Sequence, residues 1–209
     1  MLRVLACYNG DALHPRTYRA LVKYVPIGTL ELVNVNGNVS NYWHAFRARW
    51  QGAFDLMTVE QDNVITAEVI PSFESCEEPW CVYEYDGPPH LEPDDRILKA
   101  SLGCTRFSRE LQRDVPITEI SVEDYFTWHL IDFRVAVVLK NKGYEPHIHG
   151  SVEHLHSYSN NLAGIAKTKE IQAIIDGGGK IALDRAAGWT TVDEPGETGG
   201  VGEATFMPA

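Results

Sequence analysis

The sequence predicts an α/β protein with a mostly parallel central sheet that is flanked by helices. Strand-like and helix-like segments alternate along the first 60 residues, and the loops between them are short. The length of 209 residues suits one domain that buries a core of two or three layers. The composition, with 44% hydrophobic and 22% charged residues, is typical of a globular protein.

The first elements are predicted from hydrophobic spacing and from the residues that end each segment. Apolar runs bounded by turn residues predict the strands, and apolar residues at helical spacing predict the helices. Ser40 can cap the second helix, and Gly52 can end it. The predicted elements are a strand at residues 2–7, a helix at 15–24, a strand at 30–35, a helix between Ser40 and Gly52, and a strand at 56–59.

The rest of the chain has weaker patterns. Its Val and Ile content predicts a strand at 64–70, and an irregular segment rich in Pro, Gly and aromatic residues follows at 74–93. Helices are predicted at 108–113, 121–140 and 167–175. From residue 191 onward the chain has acids and glycines but no Lys or Arg. We therefore expect one folded domain at 1–176 and a Gly-rich acidic tail at 177–209.

Charge and hydropathy restrict the class of protein. The net charge of −11 argues against a protein that grips a nucleic-acid backbone, because such binding depends on a basic surface. No apolar run is long enough for a membrane span, and the N-terminal segment does not resemble a signal peptide. The expected location is therefore the cytoplasm.

A pair of acids follows the third predicted strand. Loops at 8–10, 36–38 and 60–62 end the first three strands, and ligands of parallel sheets bind beyond the carboxyl ends of the strands. Glu60 and Asp62, two residues apart, can point to the same face. Their oxygens suit a hard divalent cation such as Mg²⁺ or Mn²⁺. The alternative is that both acids are a solvated strand end.

An acid also interrupts the apolar stripe of the helix predicted at 121–140. Trp128, Ile131, Val135 and Leu139 form the stripe, and Asp132 lies within it. Because burying an unpaired charge is costly, this carboxylate is either hydrogen-bonded to buried donors or faces a cleft where it does chemistry.

Histidines and cysteines form two further groups. Four of the eight histidines fall at 147, 149, 154 and 156, and imidazole is a frequent ligand for transition metals. Cys76 and Cys81 stand five positions apart. They could form a loop disulfide, half of a zinc site or two buried free thiols, since one such pair without a second is a weak zinc signal.

The order of these motifs resembles that of small glycosyltransferases with the GT-A fold, over about residues 1–160. In that family an acidic motif of the D-x-D type ends a strand of a Rossmann-like unit and holds the metal on the donor diphosphate. Glu60-Gln61-Asp62 stands at the corresponding place, with Glu in the first position. The segment 101–108 resembles the small-residue segment of the sugar pocket, and 128–132 resembles the helix start that bears the acceptor-activating acid. The resemblance implies a Rossmann-like GT-A fold for a catalytic domain at 1–176.

The resemblance also implies which residues bind the donor and the metal. The implied donor is a nucleoside diphosphate sugar, with Mn²⁺ or Mg²⁺ on its diphosphate. The donor contacts are then expected at Cys7, Tyr8, Asn9, Asn36, Glu60, Gln61, Ser101 and Gly103. The implied metal ligands are Glu60 and Asp62 with one late histidine, His154 first and His156 and His149 after it.

The reaction implied by this resemblance is transfer of a sugar to an acceptor hydroxyl. The metal would stabilise the leaving diphosphate, and Asp132 would act as the general base if the configuration is inverted. Trp80, Tyr83 and Tyr85 could form an aromatic platform for a sugar or pack into the core. The alternatives are a zinc or iron enzyme built on the histidine cluster and a non-catalytic nucleotide-binding module.

Overall fold

A computed structural model of the protein describes residues 1–9, 13–36, 40–85, 102–120, 128–155, 180–184 and 188–192. The chain divides into two compact units, Met1–Asn160 and Asn161–Ala209. The boundary predicted after residue 176 falls inside the second unit, and the division into a catalytic domain and a tail stays a prediction. The helix predicted at 167–175 lies outside the described residues, as does the start of the helix predicted at 121–140.

The first unit contains a seven-stranded sheet with helices between its strands. The strands are β1 (Leu2–Tyr8), β2 (Leu30–Asn34), β3 (Asp55–Glu60), β4 (Asn63–Val64), β5 (Trp80–Tyr85), β6 (Cys104–Phe107) and β7 (His147–His154). The described helices are α1 (Pro15–Tyr24), α2 (Asn41–Arg49), α3 (Val69–Ser75), α4 (Arg109–Asp114), α5 (Ile117–Ile120) and α6 (Trp128–Asn141). The strand order in the sheet is β2-β1-β3-β6-β5-β7-β4.

Most strands of this sheet run in one direction. β1 pairs in parallel with β2 and β3, and β5 pairs in parallel with β7. β6 is antiparallel to both β3 and β5, so β5 runs in the same direction as β3. β4 is antiparallel to β7. Five of the seven described strands therefore share one direction, which confirms the predicted α/β fold with a mostly parallel sheet.

α1 begins as its sequence predicts, whereas Ser40 occupies the N-cap of α2 without a side-chain capping hydrogen bond, and α2 ends at Arg49, before Gly52. Pro15 begins α1, where its missing N–H removes no helical hydrogen bond, and His14 Nδ1 accepts a hydrogen bond from the Arg16 N–H at 3.3 Å. α2 buries Tyr42, Trp43 and other apolar residues, and its C-terminal cap is Trp50. Because these helices connect parallel strands, they pack on the faces of the sheet.

Apolar side chains bury both faces of the sheet. Leu56, Met57 and Val59 of β3 are all at most 1% exposed. Adjacent residues on a strand point to opposite faces, so this continuous burial requires apolar cover on both sides. On one side the Phe107 ring packs with Trp50, whose ring centroid lies 4.9 Å away. β3 is therefore buried on both faces up to Glu60, its last residue.

Two local predictions from the sequence are wrong. The strand predicted at 64–70 is instead the short β4 followed by α3, whose buried Val69, Ile70 and Phe73 cover one helical face. The irregular segment predicted at 74–93 contains β5, in which Trp80 is fully buried. High β-propensity misled the first prediction, and Pro and acidic residues nearby concealed the strand in the second.

The second unit contains a described pair of strands, β8 (Lys180–Asp184) and β9 (Gly188–Val192), which are antiparallel. The sequence predicts no strand in this Gly-rich segment. Among the residues that the structure describes, no helix combines the length and the apolar character needed to cross a bilayer.

Candidate active site

The ends of β1, β2 and β3 meet at one rim of the sheet, as predicted. Cys7 lies opposite Glu60 in the pairing of β1 with β3, and Tyr8 lies opposite Asn34 in the pairing with β2. The Val35 N–H donates a 2.9 Å hydrogen bond to the Tyr8 carbonyl. The parallel register therefore places the first donor-contact candidates beside the acidic motif.

Hydrogen bonds join the loops of this rim to one another. The Asn9 N–H donates to Gln61 Oε1 at 2.6 Å, which connects the loop after β1 with the acidic loop after β3. At the end of β2, the Asn36 N–H donates to Asn34 Oδ1 at 2.9 Å, and Asn41 Nδ2 of α2 donates to the Asn36 carbonyl at 2.7 Å. The first bond joins the described ends of two loops, and the other two connect Asn36 with the end of β2 and the start of α2.

Asp62 and His154, two of the candidate metal ligands, contact each other at the rim. His154 Nε2 lies 3.2 Å from Asp62 Oδ2, and their side chains are 10% and 12% exposed. The pairing of β4 with β7 aligns Asn63 with His154, and the Leu155 N–H donates to the Asp62 carbonyl at 2.9 Å. Backbone pairing thus brings together two residues that are 92 positions apart in the sequence.

Gly103 lies against the acidic motif. Its carbonyl accepts hydrogen bonds from the Glu60 N–H at 2.9 Å and from Asn63 Nδ2 at 3.1 Å. The turn before β6 is therefore held next to the carboxylates, as the resemblance implies for a sugar pocket. Two other candidates, Ser101 and His156, lie outside the described residues.

Asp132 is a largely buried carboxyl group on α6. Burial raises its pKa to about 7, and a hydrogen bond from the Leu102 backbone partly opposes that rise. Its Oδ1 is buried and has no hydrogen-bond partner within the described part of the chain. Leu102 precedes Gly103, so this acid is attached to the same turn that supports Glu60. A carboxyl group with a pKa near neutrality can exchange a proton at physiological pH.

Tyr42 of α2, which the sequence does not single out, is influenced electrostatically by groups of the candidate site. Its ring is buried, and its pKa is raised well above the usual value by burial first and then by the charges of Glu60, Cys7 and Asp132. The phenol oxygen therefore lies within electrostatic reach of all three groups. The only sequence signal is a hydroxyl-bearing ring in a stripe of apolar residues.

Cys7 contributes backbone rather than a reactive thiol. Its side chain is fully buried, and burial raises its pKa to about 12, with Arg49 lowering it and Glu60 raising it further. A protonated, buried thiol is a poor nucleophile and a poor ligand. The adjoining loop backbone remains the part of this segment that can meet a ligand.

The structure does not bring His149 to the rim. It precedes His154 by five residues on β7, a separation of roughly 16 Å along an extended strand. Its ring stacks on that of Tyr83 at a centroid distance of 5.7 Å. Tyr83 and Trp80 are buried core residues, so these two do not form an exposed aromatic platform, and the side chain of Tyr85 lies outside the described residues.

Comparison with known proteins gives structural but no sequence relatives. No family model matches the chain, and no curated protein matches it. A glucosyl-3-phosphoglycerate synthase from Mycobacterium tuberculosis, solved with Mn²⁺ and UDP-glucose, matches with a TM-score of 0.50 at 10% identity, over 92% of this chain and 86% of that one. Its complex with Mn²⁺, UDP and glucosyl-3-phosphoglycerate matches with a TM-score of 0.50 at 10% identity, over 92% and 87% of the chains.

This chain has the GT-A-type fold of these glycosyltransferases. The likeness confirms the predicted Rossmann-like architecture, and at this identity it concerns the fold alone. A mannosyl-3-phosphoglycerate synthase from Rubrobacter xylanophilus also matches, with a TM-score of 0.49 at 9% identity, over 91% of this chain and 85% of that one.

The donor set at the rim fits a hard or borderline divalent cation. Asp62 offers a carboxylate oxygen 3.2 Å from an imidazole nitrogen of His154, and Glu60, two residues before Asp62, is the last residue of β3. Mn²⁺ accepts both kinds of ligand, whereas Mg²⁺ prefers oxygen alone. Two or three protein ligands leave coordination positions for a diphosphate. The geometry can therefore hold a metal-bound nucleotide.

Proposed function

We propose that this protein is a glycosyltransferase that moves a sugar from a nucleoside diphosphate sugar to an acceptor hydroxyl. The observation that carries the proposal is the Asp62–His154 pair, which lies at the carboxyl edge of the sheet in a GT-A-type fold. Ligands of open α/β sheets bind at this edge. The fold and the donor set are independent observations, and both favour the same chemistry.

In this proposal the rim loops bind the nucleotide. The backbone of residues 7–9 and the loop at Asn36 border the nucleoside, and Glu60 contacts the ribose or a metal-bound water. Gln61 holds the loop after β1 through its 2.6 Å bond from the Asn9 N–H, so its role is to position that loop. Ser101 and Gly103 border the sugar.

Asp62 and His154 would hold Mn²⁺ on the donor diphosphate, with Glu60 beside them. When bound, the ion supplies positive charge that stabilises the leaving diphosphate. The 3.2 Å contact between the two side chains requires only a small adjustment for both to face one ion. His156, which the structure does not describe, stays a predicted alternative ligand.

Asp132 would accept the proton of the acceptor hydroxyl as that oxygen forms its bond to the sugar carbon. The bond between that carbon and the diphosphate oxygen breaks in the same event, and the diphosphate takes the electron pair. A base with a pKa of about 7 is half ionised near neutral pH, and it retains enough proton affinity to assist. If the enzyme retains configuration, Asp132 positions the substrate instead.

The proposal is tested by nucleotide binding. Isothermal titration calorimetry of UDP with Mn²⁺ should show binding by the parent protein and an affinity about 100-fold lower in Asp62→Ala, because the substitution removes a charged ligand. Glu153→Gln is the matched control, since Glu153 neighbours His154 on β7 but forms a surface ion pair with Arg16. Its affinity should equal that of the parent.

Unchanged affinity in Asp62→Ala would refute the metal assignment.

The proposal does not specify the nucleobase of the donor, so a thermal-shift screen of nucleoside diphosphate sugars with and without Mn²⁺ should precede the titration. A ligand that binds the folded state raises the melting temperature. Binding of a donor without transfer or hydrolysis, over a panel of acceptors, would identify a non-catalytic nucleotide-binding module.

A further inference from the structure

A second cluster of metal-ligand side chains lies apart from the rim. The ligand atoms of Cys76, Cys81, His147 and His149 all lie within 4.8 Å of one another. Cys76 Sγ is 2.8 Å from Cys81 Sγ and 3.3 Å from His147 Nδ1. Tetrahedral zinc, with bonds of about 2.0–2.3 Å, separates its ligand atoms by roughly 3.3–3.8 Å. The two sulfurs must separate by about 1 Å to reach that arrangement, and the four ligand atoms are otherwise within reach of one ion.

Three elements bring these residues together. Cys76 caps the C-terminus of α3, Cys81 is the second residue of β5, and the two histidines lie on β7. The pairing of β5 with β7 aligns Cys81 with His147. The register then shifts, so that Val82 and Tyr83 of β5 face Ile148 and Gly150, and His149 is the extra residue of a bulge. Such a bulge re-aims a side chain.

The histidine of the bulge has an unmet bonding need. His149 Nε2 is buried and has no hydrogen-bond partner among the residues that the structure describes. Its ring lies 4.6 Å from that of His147, with the planes 28° apart. A buried polar atom without a partner costs free energy. One nitrogen of this ring lies within 4.8 Å of two sulfurs and of a second imidazole nitrogen, so an ion at the cluster would give the ring a ligand bond.

The surroundings also suit an ion held by two thiolates. Arg106 Nη1 donates to Cys81 Sγ at 3.4 Å and to the carbonyls of Cys76 and Glu78 at 3.3 and 2.9 Å. Its Nη2 is 2.8 Å from Asp55 Oδ2, which fixes the guanidinium. Hydrogen bonds of this kind orient metal ligands and stabilise charge on sulfur.

We propose that Cys76, Cys81, His147 and His149 form a structural zinc site. Four protein ligands complete a tetrahedron and leave no position for substrate, which is the mark of a structural rather than a catalytic zinc. Two thiolates and two neutral imidazoles balance the charge of Zn²⁺, so burial of the ion adds no net charge. Thiolate and imidazole ligands together select zinc over Mg²⁺ or Mn²⁺.

The site is accessible to an entering ion. Cys76 and Arg106 line a cleft of about 460 Å³, together with Asp55 and Ser108. This cleft lies at the start of β3, whereas the proposed active site lies beyond the end of that strand. Zinc bound here would join the end of α3 to β5 and β7, and it would hold the strand that also carries His154.

Elemental analysis of the purified full-length protein tests the proposal. We expect about one zinc per chain, and we expect Co²⁺ titration of the zinc-depleted protein to produce the visible absorption of a tetrahedral cobalt thiolate. Cys76→Ala and His147→Ala should each lose most of the zinc and lower the melting temperature. Since the His147 side chain is exposed, its truncation removes a ligand with little loss of packing.

Two control variants test whether zinc uptake depends on these four side chains in particular. Cys104→Ala removes a buried cysteine outside the cluster, and Asp62→Ala removes the proposed manganese ligand; both variants should keep the zinc. A protein that takes up neither zinc nor Co²⁺ overturns the proposal. A Cys76–Cys81 disulfide, detected as a mass two hydrogens lower without reductant, also overturns it, as does full zinc content in Cys76→Ala and His147→Ala.

Discussion

β7 carries histidines of two clusters with different ligand chemistry. At its end, His154 faces the carboxylate of Asp62, and this oxygen and nitrogen pair leaves room for further ligands. At its start, His147 and His149 face two cysteine sulfurs, and these four side chains can enclose an ion. Hard oxygen ligands suit an exchangeable ion that binds with substrate, whereas thiolates suit a permanent ion. In the two proposals, β7 therefore contributes a ligand to the active site at its end and two ligands to a stabilising metal site at its start.

The described histidines of β7 fall into two groups. The alternative of a zinc or iron enzyme places His147, His149, His154 and His156 in one centre. In the structure, β5 pairs beside His147 and His149 at the start of β7, and β4 pairs with His154 at its end; His156 lies outside the described residues. A zinc or iron enzyme built on all four histidines would require His149 and His154 to meet, and the roughly 16 Å between them along the strand does not allow it.

The largest expected effect lies at the rim. Asp132→Asn should lower the rate of sugar transfer by about 10²–10⁴-fold, because the amide cannot accept the proton of the acceptor. Calorimetry with the donor should show unchanged affinity, and the zinc content should stay at the parent level. The two readouts together would show that catalysis and the zinc cluster are separable.

Full turnover by Asp132→Asn would remove the base assignment. The base would then be sought at Glu123 or Asp124, which precede α6 in the sequence and lie outside the described residues. A loss of zinc in this variant would contradict the separation of the two clusters, because no described contact joins Asp132 to the cysteines.

The second prediction concerns stability and pH. The folded state raises the pKa of Asp132 from 3.8 to about 7, so the folded protein holds a proton that the unfolded chain has already released. The free energy of unfolding should therefore fall as pH rises from about 4 to 7 and level off above 7, by roughly 1–4 kcal/mol from this group. Denaturant titrations of the parent and of Asp132→Asn, compared at several pH values, isolate this contribution.

In Asp132→Asn that part of the pH dependence should disappear, and the variant should be more stable than the parent above pH 7. A carboxyl group kept for function at the expense of stability behaves in this way. Equal pH dependence in both proteins would show that Asp132 is ionised at ordinary pH, and it would remove the physical reason for placing it as the base.

Much of the fold could be predicted from the sequence, because β1 to β3 have strong local patterns. Continuous apolar runs, turn residues and Pro15 define that half without long-range information. The strand predicted at Val64–Ile70 is wrong because its pattern is ambiguous. Val and Ile favour strands, but in the structure Val69 and Ile70 lie on the buried face of a helix. Local propensity decided the prediction, and packing decided the structure.

The two clusters show what the sequence cannot supply. Glu60, Asp62 and His154 were joined by resemblance to a family, and the contact between Asp62 and His154 depends on the pairing of β4 with β7. In the sequence, Cys76 and Cys81 form a pair without a second pair of ligands. Their partners, His147 and His149, lie more than 60 residues away and meet them only through the parallel pairing of β5 with β7 and its bulge.

The smallest expected effect concerns Arg106, which donates hydrogen bonds to Cys81 and to the Cys76 carbonyl. Arg106→Lys keeps the positive charge but loses the planar guanidinium that reaches Cys81, Cys76 and Asp55 at once. Zinc affinity, measured by competition with a chromophoric chelator, should fall by about 10-fold, as for other groups that orient metal ligands. Arg109→Lys is the matched control, because its side chain pairs with exposed Glu110 at 2.7 Å and does not contact either cysteine. Arg106 also pairs with Asp55 at the start of β3, so the variant tests whether the two ends of this strand are coupled. The affinity for the nucleotide-sugar donor, which is proposed to bind beyond the other end of β3, should remain unchanged. A fall in donor affinity together with the fall in zinc affinity would show that the two ends are coupled.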